Sequence, residues 1–250
     1  TEQVPEFCPS CSAKDFSDKG FGTEQIEESL KELLPTYVPK RMDYDTTRGK
    51  NAHQQIITDF EQGRIDILVG TQMVTKGLDF DNVALVGILN ADSMLHFPDF
   101  RAYERAFQLM MQVAGRAGRK GQQGQVLVQT YDEEHEMFGL LKANDYISFI
   151  RQQVQERKLF SYPPYNRLIG ITLKHKNQRK LDETATALVD LMRKSFGNRV
   201  LGPEYPSISR IRNYYHKNVL LKIEHEASIS EAKSILHTII EKMKNHADYK

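Results

Sequence analysis

The sequence predicts an α/β protein: a parallel sheet with helices on both faces, followed by a small α+β domain. Three observations carry this. Short apolar runs such as Asp66-Ile67-Leu68-Val69-Gly70 and Val83–Leu89 alternate with amphipathic stretches, the pattern of strands buried between helices. Pro163-Pro164 then breaks a long helical stretch. Finally, residues 1–150 hold 15 Lys/Arg against 23 Asp/Glu, whereas residues 151–250 hold 19 against 10. Balances of −8 and +9 suggest two domains, the second favouring polyanions or carrying only a solvated basic face.

The elements follow in order. Thr23 caps a helix with acids in its first turn, which runs to Leu34 before Pro35. A strand near Tyr37–Asp43 precedes a helix through Gln54–Phe60 that stops at Gly63. Strands follow at Asp66–Gly70 and Val83–Leu89, then a helix over Phe100–Val113 and a strand over Gly124–Thr130. Asp132-Glu133-Glu134-His135 reads as an N-capped helix start. A basic helix spans Tyr146–Phe160. Beyond the prolines the order is strand (Leu168–Leu173), helix (Leu181–Ser195), strands (Ile208–Arg212, Val219–Glu224) and helix (Ser230–Met243). The expected domains are 1–19, 20–145, a linker over 146–164, and 165–250.

Composition narrows the class. The 250 residues are 40% hydrophobic, 27% charged and 9% aromatic, as in soluble globular proteins. No run of eighteen apolar residues occurs and the first thirty residues carry acids, so neither a membrane span nor a secretory leader is expected. A cytoplasmic, monomeric protein is the expectation. The chain begins at Thr1 beside Cys8-Pro9-Ser10-Cys11, which reads as a cut within a longer protein. Cys8 and Cys11 have the spacing of half a tetrahedral zinc site, and in a reducing compartment they are not expected to form a disulfide. The eight histidines show no ligand spacing and read as surface or satisfied residues.

The strongest motif is Gln112-Val113-Ala114-Gly115-Arg116-Ala117-Gly118-Arg119. Two arginines three apart share one helical face or fan from one turn. Their planar, permanently charged forks match phosphate oxygens, and the glycines allow close backbone approach. Gln112 can orient a water. A glycine-capped helix end with cations on its dipole is the structural alternative.

About forty residues earlier, the run Ile67-Leu68-Val69-Gly70 leads into Thr71-Gln72-Met73-Val74-Thr75-Lys76-Gly77-Leu78-Asp79-Phe80. Thr71, Gln72, Thr75 and Lys76 then stand at the carboxyl edge of the sheet, where open α/β sheets bind ligands. Hydroxyls and a lysine suit backbone phosphates; Gly77 and Asp79 suit a nucleotide.

Together the two motifs resemble the second, RecA-like lobe of superfamily-two helicases. The flanks resemble one family within it, the PriA replication-restart helicases (primosomal protein N-prime). They are Cys8–Cys11, Gly20–Glu24, Met42–Thr47, Pro98–Arg105 and Tyr162–Tyr165, with Leu201–Pro203 and Arg210–Tyr215 resembling more loosely the family's S10-like C-terminal DNA-binding domain. The resemblance implies an ATP- and Mg²⁺-dependent 3′-to-5′ DNA helicase acting on forked and single-stranded DNA. Its partners would be single-strand DNA-binding protein and the primosome machinery that loads the replicative helicase. Carried over by motif, Gly77, Asp79, Gln112, Gly115, Arg116 and Arg119 would face ATP. Thr71, Gln72, Thr75 and Lys76 would face DNA, with Gly22, Thr23 and Thr46 as further phosphate contacts near helix N-termini. Cys8 and Cys11 would belong to an inserted zinc site, Zn²⁺ needing partners from elsewhere, so the pair is expected to be empty here.

No Gly-x-x-x-x-Gly-Lys followed by Ser or Thr occurs, so this chain alone is not expected to hydrolyse ATP. In the tail, Arg210, Arg212, Tyr214 and Lys217, with Tyr215 and His216, interleave cations and aromatics as a DNA-binding surface does. A hairpin whose tyrosines pack inward is the alternative. Two rival functions stay open: another superfamily-two motor, or a DNA-binding module on an inactive helicase lobe.

Overall fold

A computed structural model describes residues 22–49, 51–71, 83–115, 117 and 124–244. The chain forms two compact units, Thr1–Phe97 with Arg105–Asn144, and Pro98–Glu104 with Asp145–Lys250. The class is α/β, with parallel strand pairs in the first unit.

In the first unit, α1 (Thr23–Leu33), β1 (Pro39–Met42), α2 (Ala52–Glu61) and β2 (Ile67–Gly70) follow one another, with β1 and β2 parallel from Pro39↔Ile67 to Met42↔Gly70. Met42, Ile56, Ile57 and Ile65 form the core between this pair and α2, with Phe60, Leu68 and Val83 packed against it. Next come β3 (Leu85–Ile88), α3 (Ala91–Leu95), α4 (Ala102–Ala114), β4 (Gln125–Val128) and α5 (Glu136–Lys142). β3 and β4 are parallel.

One helix start differs from expectation. Thr23 is not the cap of α1: Gly22 holds that position without a side-chain hydrogen bond. The Thr23 hydroxyl is donated instead to Asp43, 2.7 Å away. The N-capped helix start read at Asp132–His135 is present: His135 caps α5, its Nδ1 accepting from the Met137 amide at 3.2 Å. The short helix α3, absent from the sequence expectation, starts at Asn90, whose left-handed φ of 52° lets its Oδ1 accept from Ser93.

The second unit holds α6 (Tyr146–Leu159), β5 (Asn166–His175), α7 (Gln178–Phe196), a 3₁₀ turn at Gly197–Arg199, β6 (Val200–Glu204), β7 (Arg210–Ile211), β8 (Tyr214–Glu224) and α8 (Ile229–Lys244). The sheet is antiparallel in order β5-β8-β6, and β7 pairs with β8. Leu188, Val189, Met192 and Phe196 recur at helical spacing on α7, and Ala232, Leu236, Ile239 and Met243 on α8. They bury Val219, Leu221 and Ile223, which alternate along β8. The intervening residues, Tyr214, His216, Asn218, Leu220 and Lys222, therefore point to the opposite face, as do Leu168, Gly170, Thr172 and Lys174 of β5.

β6 is missing from the sequence expectation because its alternation breaks: the register shifts between Leu201 and Glu204. Gly202 there has φ +99°, and a Cβ on it would lie 2.7 Å from the Asn218 carbonyl oxygen, so only glycine fits. β7 and β8 meet in a two-residue turn, Arg212-Asn213, with φ of 48° and 65° at the two positions. Positive φ at both is the geometry that matches strand twist in a tight hairpin.

Candidate functional site

In the first unit, the carboxyl edge of the β1–β2 pair collects several candidates. Because Met42 and Gly70 are in register, the residues that follow them, Asp43 and Thr71, leave the sheet side by side. Asp43 organises the turn after β1. Its Oδ1 accepts from the Asp45 and Thr46 amides, both at 3.0 Å, and from the Thr46 hydroxyl at 3.2 Å. Its Oδ2 accepts from Thr23, and Arg41 Nε lies 3.3 Å away as an ion pair. Burial would raise the Asp43 pKa, but the hydrogen bonds from Thr23 and Thr46, with the Arg41 charge, outweigh it and hold the carboxyl below its usual range.

Gly22, Thr23, Thr46 and Thr71 are thus brought to one edge, with the Thr23 and Thr46 hydroxyl protons turned inward to Asp43. What this edge offers outward is backbone amide at the start of α1 and the exposed Thr71. Sequence reasoning missed Asp43 as the organiser, although its Asp-x-x-Thr spacing is the signature of such a turn.

Gln112 and Gly115 stand exposed at the C-terminal end of α4. A Cβ on Gly115 would meet only the Met111 and Gln112 carbonyl oxygens, at 3.5 and 3.6 Å, so among the described residues nothing compels glycine there. Arg116, Arg119, Gln72, Thr75, Lys76, Gly77, Asp79, Cys8 and Cys11 lie outside the described residues. Among the described residues no cluster of three or more His, Cys, Asp or Glu could hold a metal, and no helix is long and apolar enough to cross a membrane.

Asp92 is a second organiser that the sequence did not reveal. Only 9% exposed, it accepts from the Thr130 hydroxyl and the Tyr131 amide, tying the ends of β3 and β4 together.

In the second unit the tail candidates divide. Lys217, 12% exposed, is paired with Asp182 at 2.7 Å and sits over the Tyr205 ring. The Tyr205 hydroxyl donates to the same carboxylate at 2.6 Å. The hydrogen bond from Lys217, joined by that from Tyr205, lowers the Asp182 pKa against its partial burial. Arg210 lies over Tyr215 and donates to Asn213. Arg212 and Tyr214 are exposed at the hairpin tip, and the Tyr214 ring has Lys174 and Lys176 over it at 5.8 and 5.6 Å. Tyr215 is half-buried and Tyr214 exposed, so the two tyrosines of the hairpin do not share one environment.

A second cation–aromatic group lies in the same unit. Phe100 stacks on Tyr162 with centroids 4.9 Å apart, and Lys222 stands 3.9 Å over the Tyr162 ring while donating to the Phe160 carbonyl. Arg157 pairs with Glu104. Burial lowers the Lys222 pKa.

The helicase conserved C-terminal domain family matches residues 7–121, and the primosomal protein N C-terminal domain family matches residues 158–248. That defines the class, a C-terminal helicase domain joined to a primosomal-protein C-terminal domain. Replication restart protein PriA of Bacillus subtilis is 40% identical over 251 residues, covering 100% of this chain and 31% of the relative. PriA of Synechocystis is 41% identical over 223 residues, 88% of this chain and 27% of its own length. PriA of Haemophilus influenzae is 36% identical over 231 residues, 92% and 32% respectively. The chain belongs to the PriA family and corresponds to a C-terminal part of it, spanning about a third of the length of these relatives.

Proposed function

We propose that this chain is the C-terminal part of an ATP-driven DNA helicase of replication restart, moving 3′ to 5′ on forked or single-stranded DNA. The observation that carries the reading is the Gln112–Arg119 motif, which lies within the matched helicase domain, begins with an exposed glutamine in the last turn of α4 and includes two arginines in its sequence. Arg116 and Arg119 would offer their guanidinium groups to the terminal phosphates of ATP, and Gln112 would position the attacking water. Gly77, Asp79 and Gly115 would line the nucleotide. ATP with Mg²⁺, when bound, supplies the phosphoryl-transfer chemistry; the residues of this chain supply charge and orientation.

Thr71, Gln72, Thr75 and Lys76 would face the DNA strand. Gly22, Thr23 and Thr46 would contribute through backbone at the same edge, since the threonine hydroxyls serve Asp43. The C-terminal unit would grip DNA through Arg210, Arg212 and Tyr214, with Lys217 held back on Asp182. Cys8 and Cys11 would provide two thiolates to a zinc site of the whole protein. A cytoplasmic monomer working with single-strand DNA-binding protein and the primosome is the setting this reading implies.

The test is Arg116→Ala in the whole protein. DNA-stimulated ATPase should fall by about a thousand- to a hundred-thousand-fold, the usual worth of an arginine finger, while DNA affinity changes little. Retained turnover would overturn the role given to Arg116 and favour a binding module on an inactive lobe.

A further inference from the structure

The segment that opens α4 is built into the second unit. Pro98–Glu104 lies within the stretch matched by the helicase family, residues 7–121, yet it packs together with Asp145–Lys250. Phe100 projects from a tight turn: the Asp99 carboxylate accepts from the Arg101 amide and the Asp99 carbonyl from the Ala102 amide, both at 2.9 Å. Its ring stacks on Tyr162 with centroids 4.9 Å apart and planes 8° from parallel. The Arg157 guanidinium stands 5.2 Å from the centre of the Phe100 ring and pairs with Glu104, one helical turn further along. The two side chains of this pair are only 16% and 23% exposed, so either charge alone would be left poorly compensated.

One device presents both Arg157 and Tyr162, the end of α6. Ser161 takes a left-handed φ of 54°. The Tyr162 amide then donates back to the Arg157 carbonyl at 2.7 Å, and the Ser161 amide to the Lys158 carbonyl at 3.3 Å. This pair of bonds is a Schellman cap, which fixes the chain just past the helix against its last turn. Lys222 of β8 adds a third hold, with its ammonium 3.9 Å from the centre of the Tyr162 ring while it donates to the Phe160 carbonyl.

What these residues hold is the start of α4. Ala102–Glu104 count with the second unit and Arg105–Ala114 with the first. The 13 residues of the helix include neither Gly nor Pro, the usual causes of a kink. A direction set in the first turn therefore persists to the last, about 20 Å further on at 1.5 Å per residue. Gln112 stands in that last turn, and Gly115 and Arg116 follow in sequence.

We infer that Phe100, Glu104, Arg157 and Tyr162 form a clamp that sets the direction of α4 and thereby positions the Gln112–Arg119 motif for ATP. They are positioning residues, acting through the helix rather than on the nucleotide. This rests on the reading of Gln112 and Arg116 as residues that face ATP, and adds that the second unit takes part in hydrolysis through the helix it holds.

The experiment measures ATP turnover by the whole protein at saturating single-stranded DNA, with kcat and the KM for ATP determined separately. Tyr162→Leu removes the stack but keeps an apolar side chain. It should lower kcat by about a hundredfold, the cost of a misplacement of about 1 Å, and leave KM and DNA affinity unchanged. Tyr162→Phe, which keeps the ring, should keep kcat. In an Arg116→Ala background Tyr162→Leu should cost far less than in the wild type, because the displaced group is already gone. A loss that multiplies in full would place the effect elsewhere and overturn the clamp. Should Tyr162→Leu not fold, Glu104→Gln gives the same reading from a nearly isosteric change: kcat falls and KM stays. Wild-type kcat in folded Tyr162→Leu, or in Glu104→Gln, would overturn the inference while Arg116→Ala still abolishes turnover. Normal turnover by Arg116→Ala would instead refute the role of the motif, and that of the clamp with it.

Discussion

Asp43→Asn separates an organising carboxylate from a merely polar turn. The side-chain carbonyl oxygen that remains can still accept from the Asp45 and Thr46 amides, so the turn keeps its shape. The other half of the group becomes an NH₂ that faces Arg41 Nε, now 3.3 Å from a donor rather than an acceptor, and cannot accept from Thr23. One charge-assisted hydrogen bond is lost at a side chain only 13% exposed, which costs about 2 kcal/mol. That corresponds to an opening equilibrium about thirtyfold larger for the segment after β1.

Amide hydrogen exchange of a peptide spanning residues 38–48 reads this directly, comparing variant and wild type at one pH so that intrinsic rates cancel. The pH dependence supplies the second reading. Asp43 has a folded pKa below 3.8, so its contribution is complete above that value and is lost as pH falls through the folded pKa. The thirtyfold ratio should hold at neutral pH and shrink towards one below pH 3.8. A ratio of one at neutral pH, or one that ignores acidification, would refute the carboxylate's role. Thr23→Val, which deletes a single donor, should give a smaller ratio, about fivefold for ~1 kcal/mol.

Two further outcomes concern the second unit. Gly202→Ala should destabilise it by about 2–5 kcal/mol, since the new methyl meets the Asn218 carbonyl at 2.7 Å on a backbone of φ +99°; an unchanged thermal midpoint would contradict the close approach. Lys217→Gln should lower that midpoint through the loss of the Asp182 partner while leaving the salt dependence of DNA binding unchanged. A flatter salt slope would return Lys217 to the DNA surface.

How much of this was legible in the sequence depended on how local the cause was. The apolar runs that became β2, β3 and β4, and the 3–4 spacing along α7 and α8, are short-range patterns visible within a few residues. β6 is not, because Gly202 and Pro203 interrupt its alternation and a register shift replaces it. The Thr23 hydroxyl has two local uses open to it, and a partner 20 residues away decides between them. Lys217 looks like its basic neighbours until Asp182, 35 positions earlier, is folded against it. The arginine motif is legible as a pattern of residue types, which is why it points to phosphate chemistry, and the family matches rest on whole domains rather than on it alone.

The basic excess of the tail, +9 over residues 151–250, overstates the charge available to a ligand. Arg199 is engaged by Glu224 and the Phe196 carbonyl, Arg167 by the His225 carbonyl, and Arg193 by the Gly202 carbonyl. Arg157 pairs with Glu104, and Lys222 with the Phe160 carbonyl. Arg199, Arg167 and Lys222 thereby close helix or strand ends, where carbonyls would otherwise stay uncompensated. At the hairpin and the end of β5, Arg210, Arg212, Lys174 and Lys176 face outward instead. A strand bound there should release counterions for about four contacts, a slope near −3 in log affinity against log salt at ~0.7 each. If the whole excess were engaged, the same constant would give about −6. A measured slope near −6 would mean that the buried and carbonyl-bound cations also reach DNA, and that the division between scaffold and surface drawn from these contacts is mistaken.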